Sequence, residues 1–357
     1  MKKVGIIGLG YWYGAFRLAR AIRDMDKAEL TAVACPDRNC LEKFTNLFPM
    51  ESYLDYKDLL ARKDIDIVMV VPPSADIPEY AIASAKAGKH LIIAARMAMN
   101  LKDADRVVEA VRKAGIKCIS LEGEAMFDDP GTRKKIRDGL IGNVIHITSS
   151  SHSSIPEDWY LSGNPGWFAD PGKVPGGAFL DYAVYTLHAL RLYAGSEVKE
   201  VNFAKMNKLI YKELDVEDWG YAFLTFDNDI TATIETSWTI VNPKKTKPSP
   251  KRNSCNRIEV MGTSGRIITD IIPYNHELIL SRKHPYWAYI RLPRGLMTLP
   301  AGGPMEHPFL DNLIECIDKN KQTVCTCEDA RNSLKVILAA YESARKGKPV
   351  LLSEFSG

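Results

Sequence analysis

Two glycines near the start of the chain stand where a phosphate group can be held. Gly8 and Gly10 follow an apolar run at residues 4–7 and precede a stretch with Phe16, Leu18, Ala19 and Ile22 at helical spacing. A strand, a glycine turn and a helix in that order make an anion site. The first glycine permits the tight turn, and the second lets the backbone approach a pyrophosphate. The helix then points its free N–H groups and positive dipole end at the phosphates. Tyr11 and Trp12 complete the turn, Tyr13 takes the place of the third glycine, and Gly14 comes one residue late. Either the turn carries an extra residue or the helix meets the sheet differently there. An acid at the end of the second strand commonly binds the ribose hydroxyls of NAD. Here the order is Ala34, Cys35, Pro36, Asp37, Arg38, so Cys35 holds the acid's place. Asp37 can reach the ribose, and Arg38 can pair with the 2′-phosphate of NADP. The coenzyme is thus NAD or NADP, and Pro72 and Pro73 bring a further turn to its nicotinamide side.

The elements that must position these groups alternate in type. Strand-like runs at residues 4–7, 30–34, 65–71, 91–94 and 117–121 are separated by helical stretches at 41–47, Tyr56–Ala61, 77–87 and Leu101–Ala114. The run IDIVMVV at 65–71 is continuously apolar, as in a parallel strand buried on both faces. Alternation of this kind builds βαβ units. After Glu122 the pattern changes. A helix at 129–140 and a strand at 144–151 lead into a Gly/Pro-rich loop at 155–177 and a helix at 178–193. Strand-like runs follow at Val198–Asn207, Trp219–Phe226, 231–239, 257–261 and 266–270, and helices close the chain at 308–319 and 328–346. The fold class is α/β: an N-terminal Rossmann dinucleotide-binding domain, residues 1–122, and a C-terminal α/β domain on a large open, mostly antiparallel sheet, residues 123–357. The last helix is expected to pack back on the Rossmann domain.

With 357 residues, two domains are the ordinary expectation. Lys and Arg number 47 against 44 acidic residues, a net +3, which gives no electrostatic reason for a nucleic-acid or membrane partner. The basic, proline-rich stretch 243–252 lacks interleaved aromatics and reads as a loop. Seven scattered cysteines form neither a disulfide framework nor a zinc pattern, so no metal site is expected and a reducing cytoplasm fits. No stretch has the apolar length of a membrane span.

Several segments resemble the Gfo/Idh/MocA oxidoreductases: GIIGLGYW, AIASAKAGKHLII, WFADPGKVPGGAFLDYAVYTLHALR, VEDWGYAFLTFDNDITATIETSW and EHPFLDNLIECI. The resemblance spans nearly the whole chain. It implies an NAD(P)-linked redox reaction on a sugar, cyclitol or related polyol, and a homodimer or homotetramer. It also implies a Glu-Lys-Pro motif after the fifth strand, whose Lys helps ionise the reacting hydroxyl. This chain has Ala94, Ala95 and Arg96 there. Ala95 has no functional group, and Arg96 stays protonated, so it can stabilise an alkoxide but not act as a base. The family's Asp and, four residues later, His correspond to Asp181 and Tyr185. With His188 they fall at i, i+4 and i+7, one helical face.

By resemblance, Tyr185 passes a proton to or from the substrate oxygen and Asp181 and His188 position substrate. Arg96 or Lys173, in the loop before Gly176 and Gly177, supplies positive charge. Those two glycines would let the helix start close to substrate and nicotinamide. Trp167 and Phe168 either stack on a sugar ring or anchor their loop. The alternative is a catalytically impaired or non-enzymatic dinucleotide- and sugar-binding member, through natural or engineered loss of Lys at position 95.

Overall fold

The computed structural model describes residues 1–23, 25–123, 130–159, 162–239, 255–272, 276–281, 290–293 and 308–357. The stretch 243–252 lies outside them. The chain divides into two units, one of Met1–Glu122, Glu157–Pro175 and Leu299–Leu334, the other of Gly123–Pro156, Gly176–Thr298 and Lys335–Gly357. Against a simple split at Glu122, the segments Glu157–Pro175 and Leu299–Leu334 group with the first unit.

The first unit is a doubly wound sheet. Its strands are β1 (Lys2–Ile7), β2 (Ala28–Ala34), β3 (Glu51–Tyr53), β4 (Ile67–Val70), β5 (His90–Ile93) and β6 (Cys118–Ser120). Helices α1 (Trp12–Arg23), α2 (Arg38–Leu47), α3 (Tyr56–Ala61), α4 (Ile77–Lys86) and α5 (Leu101–Ala114) alternate with them. The order is β3-β2-β1-β4-β5-β6, all parallel. Strand order reverses between β1 and β4, and such a switch point is where the strand ends open a ligand crevice. Ile67, Val68, Met69 and Val70 are fully buried, as a strand covered on both faces requires. Strand β4 is shorter than the apolar run 65–71, because Ile65 and Val71 pack as loop residues beyond the ladder. Helix α5 starts where the Asn100 side chain accepts the Asp103 amide at 2.9 Å, and stops at Gly115 in a left-handed conformation, φ +64°.

The second unit holds α6 (Pro130–Arg137), β7 (Val144–His152), α7 (Ala178–Ala194), β8 (Val198–Asn207), β9 (Trp219–Phe226), β10 (Thr231–Ser237), β11 (Cys255–Gly262), β12 (Gly265–Ile272), β13 (His276–Ser281) and β14 (Ile290–Pro293). Helices α8 (Pro308–Asp318) and α9 (Cys327–Lys346) and strand β15 (Val350–Leu351) close the chain. The nine-stranded sheet runs β14-β13-β12-β11-β7-β10-β9-β8-β15, antiparallel except for β7 beside β10. Helix α7 covers one face of it, against Ala222, Leu224, Ala232 and Ile234, all at most 1% exposed. Burial alternates along β9, so every second side chain points away from that core. α8 and the first part of α9, to Leu334, count with the first unit, and the rest of α9 with the second.

Candidate functional site

The glycine turn is built tightly onto its neighbour. Gly8 has φ +79°, and a Cβ there would lie 2.7 Å from the Pro72 nitrogen. A Cβ on Gly10 would lie 2.6 Å from Cδ of Pro73. The turn therefore admits no side chain at either position. The Gly8 amide donates to the Ala34 carbonyl and the Tyr11 amide to that of Val71, both at 2.8 Å, which ties the turn to the ends of β2 and β4. α1 then begins at Trp12, directly after the turn, so the positive end of its dipole lies at the turn. Gly14 settles the irregular third glycine. A Cβ there would meet the Tyr11 ring at 2.9 Å and Cε of Met69 at 3.1 Å, so Gly14 provides the close helix–sheet packing. Tyr13 is spared that role, and its hydroxyl accepts from the Glu157 amide at 3.3 Å.

The segment 157–175 docks on this turn. Trp167 donates its indole N–H to the Gly10 carbonyl at 3.0 Å, and Trp12 donates its own to the Glu157 carbonyl at 3.1 Å. The Trp12 ring is buried and stacks on Tyr13, so what it offers a ligand is main chain. The Ala75 amide, just past Pro72 and Pro73, donates to the Lys173 carbonyl at 3.1 Å. Lys173 itself is exposed. Trp167 and Phe168 stack at 4.0 Å. Their anchoring role is what the structure shows.

Ala94, Ala95 and Arg96 follow β5, each 2% exposed. Arg96 has φ +68°, a region few non-glycine residues enter and one a proline ring, held near −65°, cannot adopt. Its guanidinium lies 5.5 Å from the Tyr11 ring, 5.4 Å from Trp167 and 5.2 Å from Phe168. These are cation–π distances, and they join the phosphate turn, the end of β5 and the docked segment around one positive charge.

At the ribose end, Asp37 is the N-cap of α2. Oδ1 accepts the Cys40 amide at 3.1 Å and Oδ2 faces its thiol at 3.5 Å. These bonds hold the Asp37 carboxyl below its ordinary range, and Arg38 opens the helix as an exposed side chain. Cys35 is buried, and burial pushes its thiol up, so it stays neutral.

The second unit carries the polar stripe on α7. Asp181 is half-buried and its Oδ2 accepts the Trp238 indole N–H at 2.9 Å. Tyr185 is 5% exposed and His188 2%, so burial deepens along the stripe. The helix start shows a packing reason for glycine at Gly176 and Gly177. A Cβ on Gly176 would strike the Tyr341 hydroxyl, and one on Gly177 the Glu217 carbonyl. Glu217 reaches in to accept the amides of Gly177 and Phe179, each at 2.9 Å, and the Tyr341 hydroxyl at 2.7 Å. It caps α7 from 38 residues away along the chain. Neither Glu217, Tyr341 nor Trp238 was found from the sequence, since only the tertiary fold brings them to the helix. Among the described residues no group of three or more His, Cys, Asp or Glu can hold a metal, and no helix is long and apolar enough to cross a membrane.

A six-stranded Rossmann sheet with a glycine cradle at its switch point, joined in one chain to a large mixed sheet, defines a dinucleotide-dependent oxidoreductase. Residues 2–121 match the model of the oxidoreductase family with an NAD-binding Rossmann fold, and residues 132–268 that of the GFO/IDH/MocA C-terminal domain. The chain belongs to the GFO/IDH/MocA family and is an NAD(P)-dependent oxidoreductase. It is 30% identical over 278 residues to the myo-inositol 2-dehydrogenase of Thermotoga maritima, covering 75% of each chain. The scyllo-inositol 2-dehydrogenase (NAD(+)) of Bacillus subtilis is 24% identical over 98% of this chain and 96% of its own. In fold it is similar to a levoglucosan dehydrogenase solved with NADH and L-sorbose, TM-score 0.83 at 20% identity, covering 98% of each chain.

Proposed function

We propose that the protein moves a hydride between a nicotinamide coenzyme and a carbinol or ketone carbon of a sugar, cyclitol or related polyol. The observation that carries this is the glycine cradle at Gly8 and Gly10 in a chain 30% identical to a cyclitol dehydrogenase. The residues fit a dinucleotide: the turn excludes side chains, a helix begins directly after it, and a cavity opens at the end of β2. When bound, the coenzyme supplies the hydride acceptor or donor.

The chain's own residues handle the proton and the oxygen. Tyr185 exchanges the hydroxyl proton, taking it in the oxidative direction and returning it in the reductive one. Asp181, fixed by Trp238, accepts a hydrogen bond from a substrate hydroxyl, and His188 on the same helical face helps position the substrate. Arg96 stabilises developing negative charge as a fixed cation, since a guanidinium keeps its proton. Lys173 is a second cation for that task. Ala95 removes the family's usual proton handler, which shifts that work onto Tyr185. The sheet face that leaves Phe203 51% exposed supports a homodimer or homotetramer built over it.

The test is absorbance at the reduced-nicotinamide band with inositol isomers and a panel of aldoses and polyols. Turnover with a cyclitol or sugar is the expected result. Tight coenzyme binding with no turnover across the panel would overturn the reading in favour of a binding protein.

A further inference from the structure

A cavity of about 300 Å³ opens at the carboxyl ends of β1 and β2. Its wall is formed by Cys35 and Pro36 after β2, by Leu54, Asp55 and Tyr56 at the turn into α3, and by Tyr80 of α4. The two tyrosine rings lie 4.6 Å apart at 47° to each other, an aromatic flank for a purine or its sugar. The position that ordinarily supplies an acid for the ribose diol holds Cys35, a buried thiol kept neutral. Asp37, the next acid along, spends both carboxylate oxygens on the first turn of α2 and does not line the cavity. Among the described lining residues, one carries charge, and it is Asp55. Its Oδ1 accepts the Lys57 amide at 2.9 Å as the N-cap of α3, which fixes the carboxylate in place at the cavity wall.

We infer that Asp55, from the turn after β3, replaces the missing acid of β2 as the group that reads the adenosine ribose, and so selects NAD over NADP. A carboxylate accepts hydrogen bonds from a vicinal diol, and it repels a 2′-phosphate in the same place. The cavity wall offers no described cation to offset that repulsion, and Arg38 stands outside the lining. This inference rests on the dinucleotide reading of the first unit.

The experiment compares dissociation constants for NAD+ and NADP+ in the full chain, by calorimetry, for the wild type, Asp55→Asn and Asp37→Asn. Asparagine is as good an N-cap as aspartate, so both variants keep their helices while losing the charge. Thermal midpoints confirm folding. The wild type is expected to bind NAD+ at least about tenfold more tightly than NADP+. Asp55→Asn is expected to weaken NAD+ by about tenfold, leave NADP+ unchanged or tighter, and bring the ratio close to one. A wild type that prefers NADP+, or a ratio that collapses in Asp37→Asn while Asp55→Asn keeps it, overturns the inference. If the wild type binds neither coenzyme, the dinucleotide reading itself falls.

Discussion

The indole N–H of Trp167 donates to the carbonyl of Gly10 at 3.0 Å, across 157 residues of sequence. The bond fastens the segment 157–175 to the phosphate turn at the glycine whose backbone must come closest to a pyrophosphate. The Arg96 guanidinium, ringed by Tyr11, Trp167 and Phe168, holds the same two pieces together.

Trp167→Phe keeps an aromatic face toward Arg96 and loses the bond to Gly10. A net hydrogen bond is worth about 1 kcal/mol, so coenzyme affinity should fall by about fivefold with a small change in thermal midpoint. Calorimetric titration with NAD+ measures it. An unchanged affinity would mean that the segment does not shape the cradle.

Tyr185→Phe removes the proposed proton carrier and keeps the ring that packs against the core. Turnover should drop by about 10²- to 10⁴-fold while the coenzyme dissociation constant stays within about twofold. Steady-state rates beside equilibrium titration separate the two. Equal losses in both would assign Tyr185 to packing alone.

Tyr341→Phe deprives the buried Glu217 carboxylate of its hydroxyl partner. The cost should be about 1.5–3 kcal/mol of unfolding free energy, the range for hydrogen bonds to charged groups. Burial raises the pKa of Glu217 and the Tyr341 hydroxyl opposes that rise. Losing the hydroxyl raises it further. A raised acid contributes its full stability below its unfolded pKa and loses it as pH climbs through the folded value. The variant's loss should therefore grow as pH rises above the ordinary 4.5 in urea titrations, and a loss that does not change with pH would refute the coupling.

His90 gives a pH dependence of the opposite sign. Its Nδ1 accepts the Lys117 amide at 2.9 Å, which requires the neutral ring. Burial, and then the charge of Lys2, lower its pKa from the ordinary 6.5. Between the folded value and 6.5 the unfolded chain holds more protons, so stability is full above 6.5 and is lost as pH falls. His90→Gln should flatten the decline between pH 6.5 and 5 by up to about 1.4 kcal/mol per pH unit. Urea midpoints that fall as steeply in the variant would contradict this.

Local signals carried the regular elements. Leu101–Ala114 is legible to the residue because Asn100 caps it and Gly115 ends it, and Trp219–Phe226 because an apolar, aromatic-rich run is stopped by the turn residues Asp227 and Asn228. The Gly8–Gly10 turn is legible because its chemistry is consecutive in sequence. Glu51–Tyr53 is not, since a three-residue edge strand has too few side chains to show a period. The packing that demands glycine at Gly176 and Gly177 is not legible, because the partners, Glu217 and Tyr341, are 40 residues and more away. Helical spacing placed Asp181, Tyr185 and His188 on one face, but it carries no depth, and only the fold grades them from half-buried to buried.

The central claim, that main-chain amides of the first turn grip a nicotinamide dinucleotide, is tested most directly by amide hydrogen exchange with and without NAD+. The account predicts slowed exchange at residues 9, 10, 12 and 13 on addition of coenzyme. Saturating NAD+ that leaves those amides exchanging at their free rate would contradict it.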